Sequence, residues 1–131
     1  KGNNLGQWLV EQGISAGFPS PADDFKEVRI SLDKELVKNQ ESTFYARVSG
    51  DSMLEAGIDD GDLLVIDKSL SPENGKIAVC FIDGDFTIKR IVKEKGKLYL
   101  KPENKKYKSI EIREGNELII WGIVEYVIKK L

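Results

Sequence analysis

Residues 75–94 read GKIAVCFIDGDFTIKRIVKE, and the reading of this stretch decides the fold. Two runs rich in branched and aromatic residues flank the pair Asp83-Gly84. An Asp-Gly pair between such runs is a strong hairpin signal, because a two-residue turn of this kind needs positive φ at both positions. In the second run, period-2 alternation places Phe86, Ile88 and Arg90 on one face and Thr87, Lys89 and Ile91 on the other. Working outward, KGKLYLKP returns through a turn at Lys95-Gly96, and SIEIRE and ELIIWGIVEYVIKKL close the chain. Upstream, TFYARV (43–48) and DLLVID (62–67) read as strands, the second following the turn DDG. About seven strands within roughly 90 residues imply a compact, mostly antiparallel β body spanning residues 29–131. Before the first of them, ISLDKELVKNQ (30–40) reads as one short helix, with Leu32, Leu36 and Val37 as its apolar stripe and Asn39 as an end signal.

Residues 1–28 are different. They hold Gly6, Gly13, Gly17, Pro19 and Pro21 and are too few to own a core. Leu5, Trp8, Leu9 and Gln12 share a helical spacing and predict a helical turn before Gly13. SAGFPSPADD is then extended or turn-like, since each proline biases its predecessor away from the helical region. This segment is an N-terminal arm, and Trp8 is a candidate anchor for it.

Composition narrows the function classes. At 131 residues, 40% hydrophobic and 32% charged, the chain matches one globular domain. A net charge of −2 offers no polybasic surface for direct, sequence-specific DNA binding. The single cysteine, Cys80, cannot form an internal disulfide, which favours a reducing, cytoplasmic setting. It sits in IAVCFI and is expected in the core. No apolar run approaches the roughly 20 residues a membrane span needs. There is no histidine. A Ser-His-Asp triad is therefore impossible, as are the usual His-containing zinc sites. No metal or cofactor is called for.

RVSGDSMLEAG (47–57) places Ser52 on a glycine-loosened polar turn just after a strand. A serine hydroxyl is a poor nucleophile until something takes its proton. Without histidine, a neutral lysine can serve. Bringing a lysine from its ordinary pKa to near neutrality costs about 5 kcal/mol, which only burial among apolar groups supplies. Lys89, on a strand in DFTIKRI, is the candidate. Alone, Lys89 has a plain explanation as a solvated strand lysine, and Ser52 as a turn former.

Taken together, SGDSM and, 37 positions after Ser52, the lysine of DGDFTIKRI resemble the LexA/UmuD family of self-cleaving Ser-Lys peptidases, the S24 type. GIDDGDLLVIDKS looks like the family's segment after the nucleophile. SAGFPSPADDF looks like its cleavage site, and Gly17 to Pro21 match the Gly-Phe-Pro-Ser-Pro of the UmuD branch. The resemblance covers nearly the whole chain. It implies a LexA/signal-peptidase-like C-terminal β domain with an extended N-terminal arm and one short helix. Ser52 would be the nucleophile and Lys89 the general base. The backbone N–H groups of Asp51 and Ser52 would form the oxyanion hole, and Ala16-Gly17 would be the scissile pair. Gly50 lets the chain turn so that Ser52 projects outward. The twelve residues from Gly17 to Val28 can span up to about 40 Å, so the bond is within reach of the chain's own site or a dimer partner's. The resemblance further implies a homodimer, stimulation by a RecA filament on single-stranded DNA in the SOS response, and a Y-family translesion polymerase of the UmuC type as partner of the trimmed form.

Competing readings are a signal peptidase, which would carry a membrane anchor, and a LexA- or phage-type repressor fragment lacking its DNA-binding domain. Only 16 residues precede the bond here, which favours the UmuD type. A catalytically silent binding module of the same fold and an unrelated β domain complete the set. KPENKKYKS (101–109) reads as a solvated loop, with lysines that could meet a polymerase or DNA. Trp121 is expected in the core or at a dimer interface.

Overall fold

The computed structural model describes residues 7–10, 13–14, 16–17 and 27–131. The chain divides into two compact units, residues 1–38 and residues 39–131. Among the described residues no helix is long and apolar enough to cross a membrane.

In the first unit, β1 (Gln7–Val10) pairs antiparallel with β2 (Glu27–Ile30). The helical turn expected before Gly13 is thus a strand where the chain is described; Leu5 and Gln12 lie outside the described residues. A single helical turn fixes several dihedrals for one hydrogen bond, whereas four residues paired to a second strand satisfy their backbone at once. Trp8 lies opposite Arg29, whose guanidinium carbon is 5.0 Å from the indole centroid. Ala16 and Gly17 form an exposed bend in the connection between the two strands. Of the expected extended or turn-like course over residues 15–24, residues 15 and 18–24 lie outside the described residues. The helix expected over residues 30–40 is shorter: α1 covers Leu32–Leu36. Ile30 belongs to β2, and Val37 leaves the helical region at φ −100°, ψ 107°.

The second unit is one antiparallel sheet of seven strands: β3 (Thr43–Arg47), β4 (Leu63–Asp67), β5 (Ile77–Ile82), β6 (Asp85–Glu94), β7 (Lys97–Lys101), β8 (Ile110–Ile112) and β9 (Leu118–Ile128). Their spatial order is β3-β4-β9-β5-β6-β7-β8, with every neighbouring pair antiparallel. Asp83 and Gly84 both take positive φ, 46° and 94°, in the turn joining β5 to β6. Lys95 and Gly96 repeat the device between β6 and β7. The mostly β architecture read from the sequence holds.

β5 is buried on both faces. Ala78, Cys80 and Ile82 join Ile91, Leu100 and Ile123 in one core cluster, while Ile77 and Val79 pack toward a second built on Val48, Met53, Ile58, Leu64 and Ile66. A strand covered on both sides reads as a continuous apolar run, as IAVCFI does. Beside it, β9 carries two register shifts, one at Trp121 and one at Glu125. Such bulges bend a strand and add twist. Between them sits Gly122. A Cβ there would lie 2.5 Å from Cγ2 of Ile66, a side chain that is fully buried.

Asp67, at the end of β4, is the best-satisfied buried charge. It accepts hydrogen bonds from Ser69 N–H (2.8 Å), the Ser69 hydroxyl (2.7 Å), the Ser42 hydroxyl (2.7 Å) and Asn39 Nδ2 (3.3 Å). The Ser69 amide and hydroxyl, more than the other donors, hold its carboxyl at about 2 against an ordinary 3.8. Asn39, expected as a helix end signal, is therefore a donor in this network.

Two outcomes follow. Gly122→Ala forces a shift against Ile66 and is expected to lower stability by about 1–3 kcal/mol in urea unfolding. The stability contributed by Asp67 is complete above about pH 4 and is lost as pH falls toward 2, because its folded pKa lies below its unfolded one. Asp67→Ala should therefore flatten the acid limb of the melting-temperature curve.

Candidate active site

Ser52 sits on the turn after β3, and local bonding explains its placement. Gly61 N–H donates to the Val48 carbonyl and Val48 N–H to the Asp62 carbonyl, so the chain remains paired just past the strand. Gly50 then reverses direction at φ 101°, a conformation that favours glycine, and its N–H donates to Asp60 Oδ1 at 2.7 Å. Beyond Ser52, Met53 is 2% exposed and its carbonyl accepts from Ala56 and Ile58 N–H. The turn thus swings between a glycine pivot and a buried methionine anchor, with Ser52 half-buried between them.

Lys89 leaves β6 on the face of Thr87 and Ile91, opposite Ala78 of β5. It is 8% exposed. Its ammonium donates to three oxygens: Ser52 Oγ at 3.4 Å, the Ile88 carbonyl at 3.2 Å, and the Thr87 hydroxyl at short range. No carboxylate pairs with it among the described residues. Burial therefore lowers its pKa from the ordinary lysine value, with the nearby Cys80 thiol acting weakly the other way. Burial also pushes the Cys80 thiol up, to about 11, which leaves it a neutral core group at physiological pH. Thr87 was not singled out from the sequence. Its signal was available, because it lies two residues before Lys89 on the same strand face.

Asp51 precedes Ser52. The Tyr107 hydroxyl and the Lys106 ammonium hydrogen-bond its carboxylate and hold its pKa below the ordinary value. The N–H groups of Asp51 and Ser52 donate to no protein acceptor among the described residues. Ala16 and Gly17 are exposed in the first unit.

Ser52 borders a cavity of about 390 Å³. Its walls include Ala46, Leu64, Ile66, Val79, Ile88 and Phe86, and Thr87 and Ser52 both face into it. Trp121, expected in the core or at a dimer interface, packs half-buried against the second core cluster and also lines the same cavity. The bulge in β9 carries it there, and its ring packs against Phe44 (5.0 Å between centroids) and under Lys68 (4.8 Å). The arrangement is an apolar trough with a serine and a buried amine at its edge. Such a site can hold an extended peptide with a small side chain next to a nucleophile.

The sequence profile described as Peptidase S24-like matches residues 9–125. The chain belongs to the S24-like peptidase family. Protein MucA of Salmonella typhimurium is 40% identical over 116 residues, covering 88% of this chain and 79% of that protein. Protein SamA of the same organism is 40% identical over 122 residues, 93% of this chain and 84% of its own length. A LexA repressor of Clostridium botulinum is 46% identical over 97 residues, which are 74% of this chain but 48% of the repressor. The LexA/UmuD resemblance read from the motifs is thus a family relationship. Within this S24-like chain, the segments quoted for that resemblance, from Ser15 to Ile91, fall inside the matched region.

The buried ammonium carries a stability penalty with a definite pH signature. Its pKa is lower folded than unfolded, so the penalty is complete below the folded pKa and fades as pH rises toward the ordinary value of 10.5. Lys89→Met keeps the length of the side chain and removes the charge. It should raise the melting temperature at pH 7, with the gain shrinking as pH rises toward 10.5; an equal gain at pH 7 and pH 10.5 would contradict this account.

Proposed function

We propose that this chain is a UmuD-like self-cleaving serine peptidase of the SOS response, cutting its own Ala16-Gly17 bond with a Ser52-Lys89 dyad. The observation that carries the reading is the approach of a buried, carboxylate-free lysine amine to a serine on an apolar cleft, 3.4 Å between Nζ and Oγ. Residues 1–28 would act as the regulatory arm and residues 29–131 as the peptidase body.

The steps follow from the groups present. Neutral Lys89 takes the Ser52 hydroxyl proton as Oγ attacks the Ala16 carbonyl carbon. The oxyanion is received by the N–H groups of Asp51 and Ser52, a contribution of about 3–4 kcal/mol per donor in other enzymes. Collapse breaks the Ala16-Gly17 bond, and Lys89 returns the proton to the Gly17 amine. Water, deprotonated by the same lysine, then releases Ala16 from Ser52. Thr87 and the Ile88 carbonyl hold the amine toward Oγ throughout. Only the neutral amine can act as the base, so whatever fraction of Lys89 carries its proton holds the reaction back.

The family relationship supports the wider setting: a cytoplasmic homodimer whose self-cleavage is stimulated by a RecA filament on single-stranded DNA. The trimmed form would serve a Y-family translesion polymerase of the UmuC type. Proteolysis is then the switch and binding the output, with no metal, cofactor or sequence-specific DNA contact.

Incubation of the full chain at pH 7 and pH 10, with mass measurement of the products, tests the reading. A cut between Ala16 and Gly17 that grows with pH and disappears in Ser52→Ala and in Lys89→Ala is expected. An intact wild-type chain at pH 10 would instead favour a silent binding module of the same fold.

A further inference from the structure

Residues 101–109, KPENKKYKS, have the composition of a solvated loop. In the fold, part of this loop grips the turn that carries Ser52. Glu103 N–H donates to the Ser52 carbonyl at 2.8 Å. Asn104 Nδ2 donates to the Asp51 carbonyl at 2.7 Å. The Tyr107 hydroxyl and the Lys106 ammonium donate to the two carboxylate oxygens of Asp51, at 2.6 and 3.0 Å. Four bonds from a loop some fifty positions away therefore end on two successive residues.

The geometry of the peptide unit gives these bonds a consequence. A trans peptide is planar, so its C=O and N–H point in opposite directions. Holding the Asp51 carbonyl therefore aims the Ser52 N–H, and holding the Ser52 carbonyl aims the N–H of Met53. The loop is also tied to the strand of the base. Glu103 accepts from Arg90 Nε at 3.0 Å, and Arg90 Nη1 donates to the Gly75 carbonyl at 2.6 Å. Arg90 directly follows Lys89. Glu103 also accepts, at its carbonyl, from Glu55 N–H on the far side of Ser52 (2.7 Å). One chain of bonds thus runs from β6 through the loop to both flanks of the serine. The side chains of Asn104, Lys106 and Tyr107 belong to neither apolar cluster, so core packing does not require them.

We infer that the 103–107 loop is a positioning clasp for the Ser52 N–H as oxyanion donor, with Asn104 as its central positioning residue. The inference rests on the reading of Ser52 as the nucleophile of self-cleavage. Asn104 touches no reacting atom; it acts through the 51–52 peptide plane. Removing an oxyanion donor outright costs about 10²–10³ in rate in other enzymes, and a misplacement near 1 Å can cost about 10². Without Asn104 the Asp51 carbonyl keeps only the longer bond from Leu54 N–H (3.3 Å), and the loosened donor is expected to slow cleavage by roughly tenfold to a hundredfold.

The test measures the self-cleavage rate of the full chain across pH 7–11, with the melting temperature of each variant. Asn104→Asp keeps the oxygen that accepts from Lys106 N–H (3.0 Å) but loses the donor to Asp51, and Asn104→Ala loses both. Lys105→Ala alters an exposed neighbour in the same loop and serves as the control. The clasp predicts a plateau rate at least tenfold lower in both Asn104 variants, an unchanged midpoint of the pH–rate curve, and Lys105→Ala indistinguishable from wild type. The midpoint reports the surroundings of Lys89. A merely structural role, loosening the body around that lysine, would move the midpoint toward the ordinary lysine range and lower the melting temperature, and would overturn the inference. Wild-type rates in Asn104→Asp would overturn it too. If the wild-type chain does not cleave at any pH, the proposed function fails, and the clasp as a device for cleavage fails with it. Cleavage by wild type together with unaffected Asn104 variants would leave the proposed function standing and remove the clasp alone.

Discussion

The contact between the Lys89 amine and the Ser52 hydroxyl places demands on most of the second unit. An amine that accepts a proton near neutral pH must be kept out of water and away from carboxylates, since a neighbouring negative charge would stabilise the ammonium form. The fold meets the first demand by burying Lys89 beside Ala78 and Ile91, and the second by offering it only a hydroxyl and a carbonyl besides Ser52. The register of the β5–β6 hairpin is therefore a chemical constraint. A slip of one residue would send every side chain of β6 to the opposite face and carry Lys89 away from Ser52. The two positive-φ residues of the Asp83-Gly84 turn, which set that register, are part of what makes the site, although they lie at the far end of the hairpin.

Asp67 makes the contrast plain. Both it and Lys89 are buried charges in one sheet, on β4 and β6. Asp67 receives hydrogen bonds from Ser69, Ser42 and Asn39, and its charged form is strongly favoured. Lys89 receives weak, neutral partners, and its charged form is disfavoured. Desolvation opposes charge at both positions; the donors around Asp67 outweigh it and the acceptors around Lys89 do not. Both groups have their hydrogen bonds, but only around Asp67 do the partners favour the charged form enough to outweigh burial.

How much of this was legible in the sequence depended on the range of the interactions. Local rules reached the hairpin, since Asp-Gly and Lys-Gly pairs announce positive-φ turns and the strands between them are long and apolar. They reached the Ser52 and Lys89 pair only because two separated motifs occurred in a recognisable order. They failed at Trp8, where a four-residue strand and a single helical turn have nearly the same apolar pattern and pairing with β2 decides the outcome. They placed Trp121 in the core, where it packs against the second cluster, but gave no sign that the bulge in β9 also brings it to the cavity. The KPENKKYKS loop is largely exposed, as its composition implies, but its grip on the Ser52 turn left no local signal. Lysine-rich polar segments are normally solvated, and the bonds that fold this one against Asp51 join residues more than fifty positions apart.

The position of the Ala16-Gly17 bond suits a one-way switch. It lies in the connection between β1 and β2, which pair through four residues each. While the connection is intact, that pairing is intramolecular, and its entropic cost is small. On the proposed cut it becomes an association between two separate chains through four residue pairs. Isolated two-stranded pairings are marginal even when tethered, and losing the tether removes an effective concentration in the millimolar range. The segment bearing β1 would then leave, and the backbone groups of β2 that faced it would be released for another strand or for water. Hydrolysis at this bond thus converts a small chemical event into the loss of a whole element, and rejoining would require both the lost strand and the reversal of peptide hydrolysis.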